Sequence, residues 1–582
     1  MSQLFDNIRV ANTKRSTFDL SHNQVTTADF GYLLPICVRD MVPNDDFVVT
    51  PSLFCRLSPL AVPTYGRVKC RVHHFFVPYR ILYPQWDAFI TQDINNNTVP
   101  PYFLKSTLAQ ALGSDPQFNS SVAILPRGTF GRLMSHLGLN PDLINGVTGL
   151  DGQERISAFP FLAYYRIWLD WFMDSSIYDH SAYDAAFKAS IANGGSLAAY
   201  TYYLYIRNVC YKKDYFTTAR LSPQGGSVNP SPNVVDPALV GVDIASATTN
   251  PAMAPRTSNS NILETPLGKV GLSGASVSGN SKIGQFTVEA LRAANSLQRY
   301  LERNNFVGSK IINRILAHFG VAPTPERLDM AEFIGGDSFP IQIGDVTSTA
   351  FGSSSSVIPV STTGLGYQAG KGVGAGNCKS VRYHAKEHGI FMSVMSIVPD
   401  TSYYQGLSRM WTKGVNGDAL DYFTPEFENL GYQEILNKEV YVPDSTDFAQ
   451  YQAYDPNGVF GYSPRFSEYK FQQDVLSGDF VGNSSSSVQG SPTDSWHLFR
   501  HLSYDDNNPL ALNENFVELD NHNNDYDRIF QYTNNEYDHF YFNIRMDVKA
   551  TRPMAGFTAP SLDSTNEGDG NALNLPYGGT RL

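Results

Sequence analysis

Between Thr27 and Val77 the apolar positions fall into short extended runs, ADFGYLLPICV, FVVTPSLFCRL and VKCRVHHFFV, each bounded by Pro, Gly, Asn or Asp. Three β-strands are predicted there. In the third, Val68, Cys70, Val72 and His74 alternate with Lys69, Arg71 and His73 before the run turns wholly apolar at Phe75 and Phe76. A period of two puts these sets on opposite faces, which describes a sheet packed on one side. HGIFMSVMSIVP and, close to the end of the chain, DHFYFNIRMDVKATRPM predict further strands.

Helical spacing interrupts the β pattern in three places. In PFLAYYRIWLDWFMD, Pro160 suits a first helical position, and Phe161, Tyr164, Tyr165, Trp168, Trp171 and Phe172 recur three and four apart as a buried aromatic face. Val288, Leu291, Ala294, Leu297 and Leu301 mark a second helix. Ile311, Ile312, Ile315, Leu316 and Phe319 mark a third, with Ser309 as N-cap, Gly320 as the stop and Pro323 beyond.

Two stretches have neither period. Residues 222–281 are rich in Ser, Pro, Gly and Asn and read as an exposed insertion. Residues 345–380 are richer still in Gly and are expected to form a mobile surface loop. The predicted organisation is therefore an N-terminal basic arm over 1–26, a first part of a β-sandwich with a helical insertion over 27–221, the surface insertion 222–281, and the remainder over 282–582 with helices, the Gly-rich loop and a C-terminal strand. No internal repeat is detected.

Composition narrows the function. The 582 residues include aromatics at 13% and charged residues at only 17%, so much of the surface is neutral polar or apolar. Aromatic content of this size excludes disorder throughout. The net charge of −12 excludes a global basic footprint for nucleic acid, leaving only local contacts. Cys37, Cys55, Cys70, Cys210 and Cys378 form no CxxC pair and read as free thiols in a reducing compartment. No apolar run reaches the length of a membrane span and the N-terminus has no apolar signal core, so neither membrane insertion nor standard export is expected.

Candidate chemistry is sparse. His384, Glu387 and His388 in HAKEH match the H-x-x-E-H order of a zinc hydrolase, which needs a helix; Gly389 and a strand-like run follow at once. GLGYQAGKGVGAG resembles a phosphate loop, yet Leu365 and Gly372 stand where Gly and Ser or Thr are required, so a linker is the better reading. His73 and His74 point to opposite faces, one into the core with a hydrogen bond and one outward as a surface polar group. Asp525–Asp527 offer oxygens to calcium at a subunit contact. Arg9, Lys14 and Arg15 form a basic arm suited to phosphates, or an ordinary solvated terminus. Lys212, Lys213 and Arg220, interleaved with Tyr211, Tyr215 and Phe216, have the mix of cations and rings that holds single strands, or that of a core edge with solvated lysines.

STFDLSHNQVTTADFGYLLPI, VHHFFVPYRILYPQWDAFI, FPFLAYYRIWLDWF, KKDYFTTARLSPQGG, LERNNFVGSKIINRILAHFGV, EHGIFMSVMSIVPDTSYYQGLSRMW, VFGYSPRFSEYKF and KATRPM stand in an order that resembles the major capsid protein of the Microviridae, in particular its gokushovirus-like branch. The resemblance implies an all-β-dominated fold, an eight-stranded antiparallel jelly roll with long loop insertions containing a few α-helices. It also implies a structural protein without catalytic residues or cofactors. Such a protein self-assembles into a small T=1 icosahedral shell around a circular single-stranded DNA genome, in the virion after assembly in the host cytoplasm. Implied partners are other copies, the genome on the inner face, a DNA pilot protein, a small basic packaging protein and a host receptor met by outer loops. Residues 222–281 lie where a threefold projection is expected. Arg9, Lys14, Arg15, Lys212 and Lys213 are the candidate DNA contacts. The competing readings are a metal-dependent hydrolase using His384, Glu387 and His388, and a jelly-roll carbohydrate-binding or adhesion module.

Overall fold

The computed structural model describes residues 15–91, 99–114, 130–145, 153–197, 201–223, 262–265, 268–271, 288–307, 310–322, 324–325, 329–347, 368–415, 421–427, 431–443, 454–481, 494–502, 510–519, 525–531 and 538–554. The chain forms two compact units, Met1–Pro223 with Val307–Leu582, and Gln224–Phe306. In chain order the strands are β1 (Ser16–Asp19), β2 (His22–Ala28), β3 (Leu34–Met41), β4 (Asp46–Leu57), β5 (Val68–Pro78), β6 (Tyr102–Leu104), β7 (Arg155–Ser157), β8 (Ile262–Thr265), β9 (Gly268–Gly271), β10 (Glu332–Thr347), β11 (Gln368–Asn377), β12 (Val381–His384), β13 (Gly389–Pro399), β14 (Tyr432–Leu436), β15 (Val459–Pro464) and β16 (Phe540–Arg552). In the second unit β8 pairs antiparallel with β9, and the helix Val288–Val307 follows.

The first unit is organised by one curled antiparallel sheet of ten strands, the framework of a jelly roll. Eight of them lie along a single path, β1-β16-β4-β11-β10-β5-β13-β3, with β2 added on β16 and β12 on β4. Length explains the curl: the sixteen residues of β10 pair with β5 through Glu332–Ile341 and with β11 through Gln342–Thr347. One strand thus belongs to both halves of the sandwich, and a bulge between Phe333 and Gly335 eases its bend.

Side-chain period decides the packing. Val68, Cys70, Val72 and His74 of β5 are buried while Lys69, Arg71 and His73 are only partly so, as the alternation predicts. β13 is buried at every position, Ser393 and Ser396 included, as a strand covered on both faces must be. Its neighbours on either side are β5 and β3, so its backbone groups are paired as well.

The Gly-rich stretch departs from expectation. Gln368–Asn377, placed by sequence in a mobile loop, is β11, an interior strand between β4 and β10. Its core-facing positions are Gly370, Gly372, Gly374 and Gly376, and neighbours already occupy the space a side chain would take. A Cβ on Gly372 would lie 2.5 Å from Leu57, and one on Gly376 would lie 2.4 Å from Phe339. The core here is filled from across the sheet, and glycine is what permits the approach. Residues 348–367 of that stretch lie outside the described residues, as does most of 222–281.

The aromatic helix runs from Phe159 to Ile167 and continues as a π-helical turn, Trp168–Phe172. Phe161, Tyr164, Tyr165 and Trp168 are buried. Trp171 is 38% exposed, because the wider turn breaks the 3.6 period that would have kept it on the buried face. The helix Ile311–Phe319 ends at Gly320 in the left-handed conformation (φ +68°), and its N-cap is Lys310 rather than Ser309. Lys310 is buried, with Nζ donating to the carbonyl of Asp170 at 2.5 Å.

Candidate functional site

The HAKEH segment is built as structure. His384 closes β12 and its Nδ1 lies 2.9 Å from Asp46 Oδ1. Glu387 accepts from Arg80 Nε at 2.9 Å, and His388 lies edge-on to Trp86 with ring centroids 5.8 Å apart. Residues 385–388 are not helical, so the two imidazoles do not share the face that zinc hydrolysis requires. Arg15, Arg382 and His384 instead gather on Asp46; burial raises its pKa, but the Arg15 and His384 hydrogen bonds outweigh this and hold it below the usual carboxylate range.

The two strand histidines divide as their alternation requires, though neither is a plain surface group. His74 is buried, with Nδ1 2.8 Å from Ser393 Oγ, and burial pushes its imidazole down to about 4. His73 is half-buried among Phe172, Phe75 and Phe333, which corrects the expected surface placement. The five cysteines are free, as expected, and burial pushes Cys37 up to about 11 and Cys55 up to about 12, leaving inert thiols at neutral pH.

Among the described residues, Asp29, Asp527 and His539 are the group whose donor atoms converge closely enough to hold a metal ion, all within 4.8 Å. His539 Nδ1 lies 3.5 Å from Asp527 Oδ1 and 3.9 Å from Asp29 Oδ2, and its ring is stacked on Phe530. All three residues are buried between the end of β2, the turn Asp525–Ile529 and the start of β16. Asp29 Oδ1 accepts from the backbone N–H of Phe30 at 2.8 Å, so the group is held as part of the local fold.

The expected DNA contacts fall in different places. Arg9 and Lys14 lie outside the described residues. Arg15 donates to Asp46 Oδ2 at 2.6 Å and to the carbonyl of Asn44 at 2.8 Å, which ties the end of the N-terminal arm to the start of β4. Lys212 is exposed; Lys213 is paired with Asp174 and also donates to the carbonyl of Thr217 at 3.0 Å. Both line a cleft of about 590 Å³ together with Arg67, Lys470, Tyr215 and Phe471. The rings of Tyr215 and Phe471 stack 5.6 Å apart, and Asp214, Asp400 and Asp474 share the walls. Tyr211 and Phe216 are buried instead, with Phe216 edge-on to Tyr403, so they form the core edge.

The surface carries large apolar side chains, three of them outside any sequence period and the fourth, Phe319, on the apolar stripe of its helix. Met410 is 67% exposed, Trp411 68% and Val415 73% on one short segment, and Phe319 is 77% exposed at the end of its helix. Surfaces of this kind mark association with another protein surface. The chain matches the family described as capsid protein (F protein) over residues 6–562.

The chain belongs to that capsid protein family.

Relatives carry the same role in their names. Capsid protein VP1 of Bdellovibrio phage phiMH2K is 26% identical, covering 96% of this chain and 97% of the relative. Capsid protein VP1 of Chlamydia phage 1 is 26% identical over 97% and 98%, and that of Spiroplasma virus 4 is 22% identical over 84% and 85%. The resemblance to Microviridae capsid proteins therefore extends over the chain, and the protein is a structural component of a virion. The hydrolase reading has no support from the family or from the geometry of His384, Glu387 and His388. Among the described residues no helix is long and apolar enough to cross a membrane.

Proposed function

We propose that this capsid protein is the major coat subunit of a small T=1 shell, one copy per asymmetric unit, enclosing circular single-stranded DNA. The observation that carries the reading is the combination of a self-sufficient jelly-roll core with strongly exposed Trp411, Met410, Val415 and Phe319. A subunit of this kind folds alone and then buries several separate patches against identical neighbours. Each patch is modest, and many together are stable. Low charge density favours this, since with only 17% of residues charged few ions have to be desolvated when patches are buried.

In this reading the N-terminal arm, with Arg9, Lys14 and Arg15, lies on the genome side, and Lys212 and Lys213 offer a second basic contact. The stretch 222–281 supplies an outer projection, outer loops meet the host receptor, and a pilot protein and a small basic packaging protein complete the particle. Expression of the full chain with a single-stranded phagemid, followed by electron microscopy and nuclease digestion, tests it. Closed shells containing nuclease-resistant circular DNA are expected, whereas monomers or DNA-free open aggregates would contradict it.

A further inference from the structure

We propose that the solvent-facing side of β2, β16, β4 and β11 is a platform for single-stranded DNA, with Phe54 and Tyr541 stacking on bases and Arg56 and Arg545 holding phosphates. The inference rests on the reading that the shell encloses a single-stranded genome, and it assigns the surface that does so.

The sheet register assembles the platform from four sequence-distant segments. Period two points Tyr541, Asn543 and Arg545 of β16 outward while Phe540, Phe542 and Ile544 are buried. On β4, Phe54 and Arg56 are exposed between buried Leu53 and Cys55. Pairing sets Tyr541 beside Arg56, Asn543 beside Phe54 and Arg545 beside Ser52. It then continues the row, with Asn377 beside Ser52 on one side and Asn23 beside Arg545 on the other.

Chemistry selects the occupant. Phe54 is 38% exposed and Tyr541 46%, two rings on adjacent strands of a hydrogen-bonded sheet, whose π-faces suit unpaired bases. The Arg56 guanidinium lies 5.3 Å from the Phe54 ring centroid, so a cation stands beside a stacking site. Next to them is a hollow of about 420 Å³ walled by Asn23, Ser52, Asn377, Asn543 and Arg545, whose amides and hydroxyl can meet base edges.

Among the described residues no carboxylate lines that hollow, whereas the Lys212 cleft has three. Arg545 does pair with Asp547 at 2.8 Å, but both side chains are solvent-exposed, so phosphate can replace the carboxylate at small cost. Separate rings among amides provide too little continuous apolar surface for the dry centre of a protein interface. Duplex DNA, with its bases already stacked on one another, cannot use the rings.

Fluorescence anisotropy of the purified full chain with labelled oligo-dT and with a labelled duplex tests the proposal. The wild type is expected to prefer oligo-dT. Phe54→Ala with Tyr541→Ala should raise Kd about 100-fold with an unchanged thermal midpoint, and Phe54→Tyr with Tyr541→Phe should retain binding. Arg56→Gln with Arg545→Gln should flatten the logarithmic salt dependence by about 1.4. An unchanged Kd in the ring-less variant, or equal affinity for duplex, overturns the proposal. Should that variant not fold, ultraviolet crosslinking of DNA-filled wild-type particles decides: adducts on the Phe54 and Tyr541 peptides support the platform and their absence overturns it. Particles that hold protected DNA but show no such adducts would remove only the platform, while particles without DNA would remove the genome-shell reading itself.

Discussion

Gly376 of β11 lies against Phe339 of β10, and a Cβ built on that glycine would come within 2.4 Å of the ring. The side chain that fills the core here belongs to the neighbouring strand, and the glycine is the gap it fills. Gly376→Ala should therefore overpack the sheet and cost about 1–3 kcal/mol. A lowered thermal midpoint checks this, and the double change with Phe339→Leu should recover part of the loss.

A buried ion cluster joins the aromatic helix to the start of β10. Arg166 donates through Nε to Asp170 Oδ2 at 2.8 Å, pairs with Asp184, and reaches the carbonyl of Asp329, while Ala331 N–H also donates to Asp170 Oδ2. Removing the guanidinium leaves Asp170 buried without its hydrogen-bonded cation, while Asp184 keeps Lys188 at 2.8 Å. Arg166→Met should cost about 3–5 kcal/mol in urea unfolding, and adding Asp170→Leu should lessen that penalty.

Acid should weaken the subunit well above the range of carboxylate titration. Burial first, then neighbouring arginines or histidines, pushes His74, His136 and His497 down to about 4 and His501 down to about 3. Since an unfolded imidazole titrates near 6.5, the unfolded chain binds more protons between that pH and 4. Stability from these groups is whole above pH 6.5, falls as pH drops through the window, and levels off below the folded values. Each contributes up to about 1.4 kcal/mol per pH unit. Urea midpoints measured from pH 7.5 to 3.5 should show the fall, with a smaller slope after His74→Gln.

Exposed apolar groups should matter to assembly and not to folding. Trp411→Ser together with Phe319→Ser leaves the buried core untouched, so the thermal midpoint of the isolated subunit should hold. Light scattering should show slower or incomplete particle formation, since both changes remove apolar area of the kind that interfaces bury.

Much of the frame was legible because it depends on local period. Val68, Cys70 and Val72 announced one buried face, and the apolar residues of HGIFMSVMSIVP announced the strand β13. β11 was hidden for a physical reason: glycine carries no hydrophobic signal, and the residues that bury it, Leu57, Leu60 and Phe339, are distant in sequence. Trp171 misled because a π turn changes the period locally. The candidate DNA surfaces were only half legible. Lys212 and Lys213 stood out as a local cluster, whereas Phe54, Arg56, Tyr541 and Arg545 meet only through the pairing of β4 with β16, nearly the whole chain apart.

Self-recognition is tested by an electron cryomicroscopy reconstruction of the purified full chain under assembly conditions. Closed icosahedral particles with one copy per asymmetric unit are expected, with Trp411 and Phe319 buried between copies and the Phe54–Tyr541 face turned to the interior. A population that stays monomeric at high concentration and across salt, or shells with that face outward, would contradict it.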